Sequence, residues 1–236
     1  MAATRSRNAS ANETRETILA TAERLFAEHG VTAVSNRQIS SAAGQANNFA
    51  VGYHFGTKED LVRAIVLHHA PDIEQRREQR VAETEGSTEL RDWLACLVRP
   101  HTDHLEALGQ PSWYARFIAQ ATTDPALRQI VIGETTSSPS LQAVLAEITR
   151  LMPILPEDVI DERGDMSRQL IVHMCAERER ALHEGSTTPR ASWTAAAIGL
   201  IDALVGLWRA PCTVVQRTRA SAAPREAERN DARSGD

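Results

Sequence analysis

Gln45, Asn47 and Asn48 place three carboxamides within four residues, directly after Gly44. A carboxamide presents a donor and an acceptor on one plane, the pattern that pairs bidentately with N6 and N7 of adenine. Reading a base edge this way needs the amides at the exposed N-terminal end of a short helix that can enter the major groove. Ser35 and Arg37 stand ten and eight residues before Gln45. There a hydroxyl, free backbone N–H groups and a guanidinium could hold phosphate oxygens. Asn47, Asn48 and Ser35 also have a simpler use, as helix caps.

A second set of residues could line a small-molecule pocket: Trp93, Leu97, His101, Trp113, Tyr114, Phe117, His173 and Met174. They combine apolar area with a few polar groups, as ligand sites do, although aromatics at helical spacing serve equally as core. His101 and His104 lie three apart, and His68 and His69 are adjacent, but no cysteine or carboxylate cluster accompanies them. No metal site and no cofactor is expected. Cys96, Cys175 and Cys212 are widely spaced and form no CxxC, which predicts reduced, partly buried thiols. GxSxG, HExxH, Walker and dinucleotide motifs are all missing from the sequence, so an enzyme is not expected.

A net charge of −5 over 236 residues argues at first against a nucleic-acid partner. Its distribution changes that reading. Residues 1–69 carry seven Lys plus Arg against six Asp plus Glu, and the remainder nineteen against twenty-five. Lys58 is the only lysine among twenty-six basic residues. With 42% apolar residues the chain can bury an ordinary core. Met1 to Asn12 does not resemble a signal peptide, and no apolar run approaches the ~18 residues of a membrane span, so the expectation is a cytoplasmic protein without membrane contact.

The elements that would position these residues are helices. Residues 1–11 lack apolar periodicity and are expected to be a disordered arm. Ile18, Leu19, Ala22, Leu25 and Phe26 then fall at helical spacing, from an Asn12 cap to a Gly30 stop. Ser35 and Gln38 form a capping box for a short helix that buries Ile39, Ala42 and Ala43 and ends at Gly44. A third helix is expected over Asn47 to Tyr53, burying Phe49 or Ala50 together with Val51, with Gly52 weakening it by on the order of 1 kcal/mol. Thr57 and Asp60 box the start of a longer helix that Pro71 should interrupt.

Further helices are expected over Leu90 to Arg99, Trp113 to Ala121, Leu141 to Met152, Glu157 to His183 and Ser192 to Trp208, with disorder over 212–236. The fold class is all-α: a three-helix helix-turn-helix domain over 12–56, then a larger helical bundle over 57–211.

The run from Ile18 to Phe26, Gly30, Ile39 to Gly44, Tyr53-His54-Phe55-Gly56 and Lys58-Glu59-Asp60-Leu61 resembles the TetR family of bacterial regulators over roughly the first 70 residues. Two departures are visible: one extra residue between Gly44 and His54, and Gly52 where the family most often has tyrosine. The resemblance implies a DNA-binding domain followed by a bundle that binds a small-molecule effector and dimerises. It also implies that Tyr53, His54 and Lys58 grip phosphates.

The expected function is a homodimeric transcriptional repressor on a double-stranded operator, released by its effector. The apolar last helix would form the dimer surface, and a tilt of the Thr57 helix would be the switch. A protein-binding adaptor without DNA binding is the alternative, favoured by the near-balanced charge of the first domain.

Overall fold

The computed structural model describes residues 2–212, with side chains from residue 11 onward, and contains ten helices and no strand over that range. They are α1 (Ala2–His29), α2 (Asn36–Ala42), α3 (Ala50–Phe55), α4 (Lys58–Thr84) and α5 (Leu90–Leu108), then α6 (Tyr114–Ala121), α7 (Pro125–Thr136), α8 (Pro139–Leu151), α9 (Glu157–His183) and α10 (Trp193–Arg209). The all-α expectation holds. The disorder expected over 212–236 lies outside the described residues except at Cys212.

The two capping boxes form as their sequences require. Ser35 Oγ accepts from Gln38 N, and Gln38 Oε1 accepts from Ser35 N at 2.8 Å. Thr57 and Asp60 repeat the pattern at the start of α4. α2 closes with Gln45 N donating to Ser40 O at 2.9 Å and Gly44 N to Ser41 O at 3.1 Å, around a Gly44 φ of 69°. Only glycine adopts that left-handed conformation at little cost, which makes this turn sharp.

Four boundaries differ from expectation. Residues 2–11 are helical rather than a disordered arm, so Asn12 is not the cap of α1. They contain four alanines and neither glycine nor proline, so the helix nucleated by buried Ile18, Leu19 and Phe26 extends backward at little cost. α4 runs through Pro71 and α5 through Pro100. Pro71 lies on an exposed face, where water can take the carbonyl it leaves unpaired, while Ile65, Val66, Ile73 and Arg77 on either side are buried. α3 starts at Ala50, because the turn after Gly44 extends through Phe49. Finally, α7 was not expected. Asp124-Pro125 is a clear start signal for it, with Asp124 accepting from Ala126 N at 2.8 Å and Leu127 and Val131 as its buried stripe.

One continuous apolar core joins Ile18 and Phe26 of α1 to Leu61 and Ile65 of α4, Leu94 of α5, Phe117 of α6 and Leu204 of α10. α1 therefore packs directly on α6, with the fully buried rings of Phe26 and Phe117 stacked at 6.2 Å between centroids. α10, nearly all apolar in sequence, turns Trp193, Ala197, Leu200, Ile201, Leu204 and Trp208 inward, and packs against α5 and α9.

Candidate nucleic-acid interface and effector cavity

The turn between α2 and α3 is held from inside and open on the outside. Ala50 and Val51 are buried, and the buried Ser40 hydroxyl donates to Asn48 O at 3.3 Å. Between these anchors Asn47, Asn48 and Phe49 are exposed, followed on α3 by exposed Gly52 and Tyr53. Asn47 Oδ1 accepts from Phe49 N at 2.9 Å, so this asparagine shapes the turn, while Asn48 is exposed and uses only its backbone carbonyl there. Gln45 is half-buried and donates to Ala43 O at 3.2 Å, which points its amide back along its own chain.

Phe49 was expected as a core candidate. It is 80% exposed, and Tyr53, one turn later, is 83% exposed. Two large rings one helical turn apart on an open face are a feature that sequence reasoning missed, because Ala50 and Val51 suffice to fill the small interior. The cost of leaving such rings in water points to a surface that something covers. An apolar ring here could meet thymine methyl groups beside the asparagine amides.

The flanking residues divide. Ser35 and Arg37 are exposed at the start of α2. His54 is half-buried, edge-on to Tyr53 at 5.1 Å. Lys58 is half-buried, and its Nζ donates to Val31 O at 3.1 Å, tying the start of α4 to the α1–α2 loop. It also borders a crevice shared with Asp124 of the α7 cap. Its first role is therefore structural, with donors left over for a phosphate.

The bundle holds a cavity of ≈ 400 Å³, with walls drawn from α5 to α10 and exposed Leu145, Gly164 and Asp165 among its lining. Leu97, His101 and Tyr114 of the expected set line it. Trp93 does not: it is core, with Nε1 donating to Ser87 O at 3.1 Å. Phe117 faces α1 instead. Trp113 buttresses Arg116, whose guanidinium sits 4.4 Å above its ring. His173 and Met174 are exposed, because α9 turns Ser167, Ile171 and Cys175 inward and these two lie on the opposite side. Ile118 of α6 and Thr122 at its C-cap, Val131 and Thr135 of α7 and Arg168 of α9 also belong to the wall. Those on α7 became visible only with that helix.

α6 is fixed from outside by one carboxylate. Glu179 of α9, fully buried, accepts from Ser112 Oγ at 2.8 Å, Ala115 N at 3.2 Å, Arg116 N at 2.9 Å and Arg116 Nε at 3.3 Å. It thus satisfies the free N–H groups of the first turn of α6 from another helix. Tyr114, Ala115 and Ile118 of α6 face the cavity while Phe117 faces α1.

A buried polar chain runs beside it. Glu23 Oε2 lies 2.8 Å from His69 Nε2, His69 Nδ1 lies 2.8 Å from His104 Nε2, and His104 Nδ1 lies 2.6 Å from Asp72 Oδ2. Burial outweighs the pull of Asp72 and holds the pKa of His104 below the ordinary value. A neutral His104 gives Nδ1–H to Asp72 and accepts from His69 Nδ1. Tyr114 stacks on His69 at 3.9 Å, which puts a cavity residue one ring away from a side chain of α1.

Two family models match the chain. Residues 18–65 match bacterial regulatory proteins of the tetR family, and residues 95–206 match the tetracyclin repressor-like C-terminal domain. Among solved structures, the chain is similar to a TetR family transcriptional regulator, PfmR, from Thermus thermophilus. The identity is 17% and the TM-score 0.50, over 81% of this chain and 96% of that one. At this identity the likeness is one of fold. No curated protein matches.

Proposed function

The chain belongs to the TetR family and is a DNA-binding transcriptional regulator, and from that premise we propose that it is a repressor released from its operator by a small molecule in the α5–α10 cavity. The observation that carries the DNA side is the exposed Asn47–Tyr53 segment, presented between buried Ser40 and buried Ala50 and Val51. Asn48 and Phe49 are the base-reading residues in this proposal, with Asn47 and Gln45 shaping the turn that offers them. Tyr53, Ser35 and Arg37 contact phosphates, and His54 and Lys58 orient the unit from partly buried positions.

One such segment reads few base pairs, so two are needed, related by two-fold symmetry on a pseudo-palindromic site. Exposed Met166 and Met174 on α9 and Ile198 on α10, two helices that pack together, supply an apolar surface for the homodimer. The inner stripe of α10 is already occupied by the chain's own core. No helix among the described residues is long and apolar enough to cross a membrane. We place the protein with the DNA it regulates, in the cytoplasm.

Release follows from packing. α6 touches the cavity with one face and α1 with the other, so a ligand that favours a different setting of α6 shifts the Phe26–Phe117 and Glu23–His69 contacts and with them the reading head. α6 takes this part beside α4, on which the switch was expected to rest alone. An adaptor without DNA binding is not favoured, since both domains match regulator families.

The test is a gel shift on DNA selected from a random pool by the full-length protein. Asn48→Ala and Phe49→Ala should each weaken the selected site about tenfold or more while leaving nonspecific binding unchanged. Tyr53→Ala should weaken all sequences alike. Unchanged affinity in both Asn48→Ala and Phe49→Ala would sink the site assignment.

A further inference from the structure

The cavity wall has few ways to pay for a charge. Its ionisable side chains are His101, Tyr114, Cys175, Asp165 and Arg168. Burial, reinforced by the fields of Arg77 and His104, drives the His101 pKa down to about 3, so the ring is neutral. Burial also pushes the Tyr114 phenol well above its ordinary value and the Cys175 thiol up to about 12. Asp165 and Arg168 pair with each other at 3.1 Å, with the carboxylate 70% exposed. Arg77, behind His101, is already paired with Glu74 at 2.8 Å.

Hydrogen-bonding capacity is just as limited. Thr122, Thr135 and Thr136 all give their hydroxyl protons to carbonyls of their own helices, at 2.9, 2.8 and 2.7 Å to Ile118 O, Val131 O and Ile132 O. Ser167 donates to Arg163 O and accepts from Trp208 Nε1. These polar residues therefore present mostly carbon to the interior.

What remains is one corner. Tyr114 is 5% exposed, and its hydroxyl forms no hydrogen bond with any described residue. His101 Nε2 faces the Arg77 guanidinium at 3.4 Å, which leaves the proton of the neutral ring on Nδ1. Tyr114 lies edge-on to His104 at 5.7 Å, and His104 follows His101 by one turn of α5, so the two cavity side chains share one end.

We infer that the effector is an uncharged, largely apolar molecule carrying a hydrogen-bond acceptor, such as a carbonyl or ether oxygen, to which the Tyr114 hydroxyl donates. This rests on the reading of the cavity as the effector site and deepens it. A charged ligand would lose its hydration without gaining a free counter-charge. An acceptor at Tyr114 would also press on the ring stacked against His69, on the route toward Glu23 of α1.

The experiment uses two fluorescent probes with one skeleton: propionyl-dimethylaminonaphthalene, a neutral ketone, and dimethylaminonaphthalene carboxylate. Each is titrated into the full-length protein, and the emission shift is followed. The ketone should bind at one site per chain, at least tenfold more tightly than the carboxylate. Ile148→Trp, which fills the cavity, should abolish binding. Tyr114→Phe keeps the ring on His69 and removes only the hydroxyl, and should weaken the ketone severalfold, while Thr149→Val, at an exposed position of α8 outside the cavity, leaves it unchanged.

Equal or tighter binding of the carboxylate overturns the inference. So does an absence of ketone binding, or ketone binding that survives Ile148→Trp or is unaffected by Tyr114→Phe. The gel shift of the unliganded protein, done separately, reports on the regulator reading. A protein that binds the ketone as described but no DNA would refute that reading and leave the ligand chemistry standing.

Discussion

His101→Gln isolates the cost of keeping an imidazole neutral in the cavity wall. In the folded protein this histidine titrates at about 3, against 6.5 for an ordinary one. Between those values the unfolded chain binds a proton that the folded chain refuses. Because the folded pKa is lowered, the stability associated with His101 is complete above pH 6.5 and is lost as the pH falls toward 3. Each unit is worth about 1.4 kcal/mol, so moving from pH 7 to pH 5 should cost the native protein about 2 kcal/mol through this side chain. Glutamine does not titrate, and its oxygen can still accept from Arg77. Urea unfolding at both pH values, at one protein concentration so that dimerisation is held constant, gives the two differences. The native protein should lose about 2 kcal/mol more than the variant. Equal losses, or a larger loss in the variant, would show that His101 keeps an ordinary or raised pKa in the folded protein, and would refute the buried, neutral imidazole in the cavity wall.

Three further outcomes follow from the packing. Phe117→Ala opens a hole against Phe26 and should cost about 3–5 kcal/mol in urea unfolding. Glu179→Ala leaves buried Arg116 and the first turn of α6 without their acceptor, and should also cost about 3–5 kcal/mol. Glu179→Gln, which keeps an acceptor oxygen, should cost less. Iodoacetamide on the native protein should modify Cys212 first, because Cys96 and Cys175 are buried and burial raises both their pKa values. Mass spectrometry of the labelled peptides decides this, and labelling of Cys175 at the rate of Cys212 would contradict the buried thiol.

How much of the site was legible depended on whether its determinants were local. The amides at Asn47 and Asn48 were visible as a polar run after Gly44, but which of them faces outward was not, since Asn47 is engaged with Phe49 N. Phe49 and Ala50 stood as alternatives for the core, and only the packing of α3, which buries Ala50 and Val51 and leaves Phe49 in solvent, decides between them. In the bundle three of eight expected pocket residues line the cavity. An aromatic at helical spacing has the same signature whether it faces a core, a neighbouring helix or a hole.

What the sequence alone determined was set by neighbours within a few residues: the Ser35 and Thr57 boxes, the Gly44 turn, the helical class, and the amides between α2 and α3. Such features depend on hydrogen bonds across three or four positions, so the code for them is contiguous. Tertiary structure decided the rest. It carried α4 and α5 through their prolines, because buried contacts on both sides outweigh a lost hydrogen bond. It joined α6 to α1 through Phe117, to α9 through Glu179 and to Glu23 through Tyr114 and His69, partners tens of residues away. It also keeps His101 and Tyr114 of the cavity wall neutral, because burial by other helices lowers the histidine pKa and raises that of the phenol.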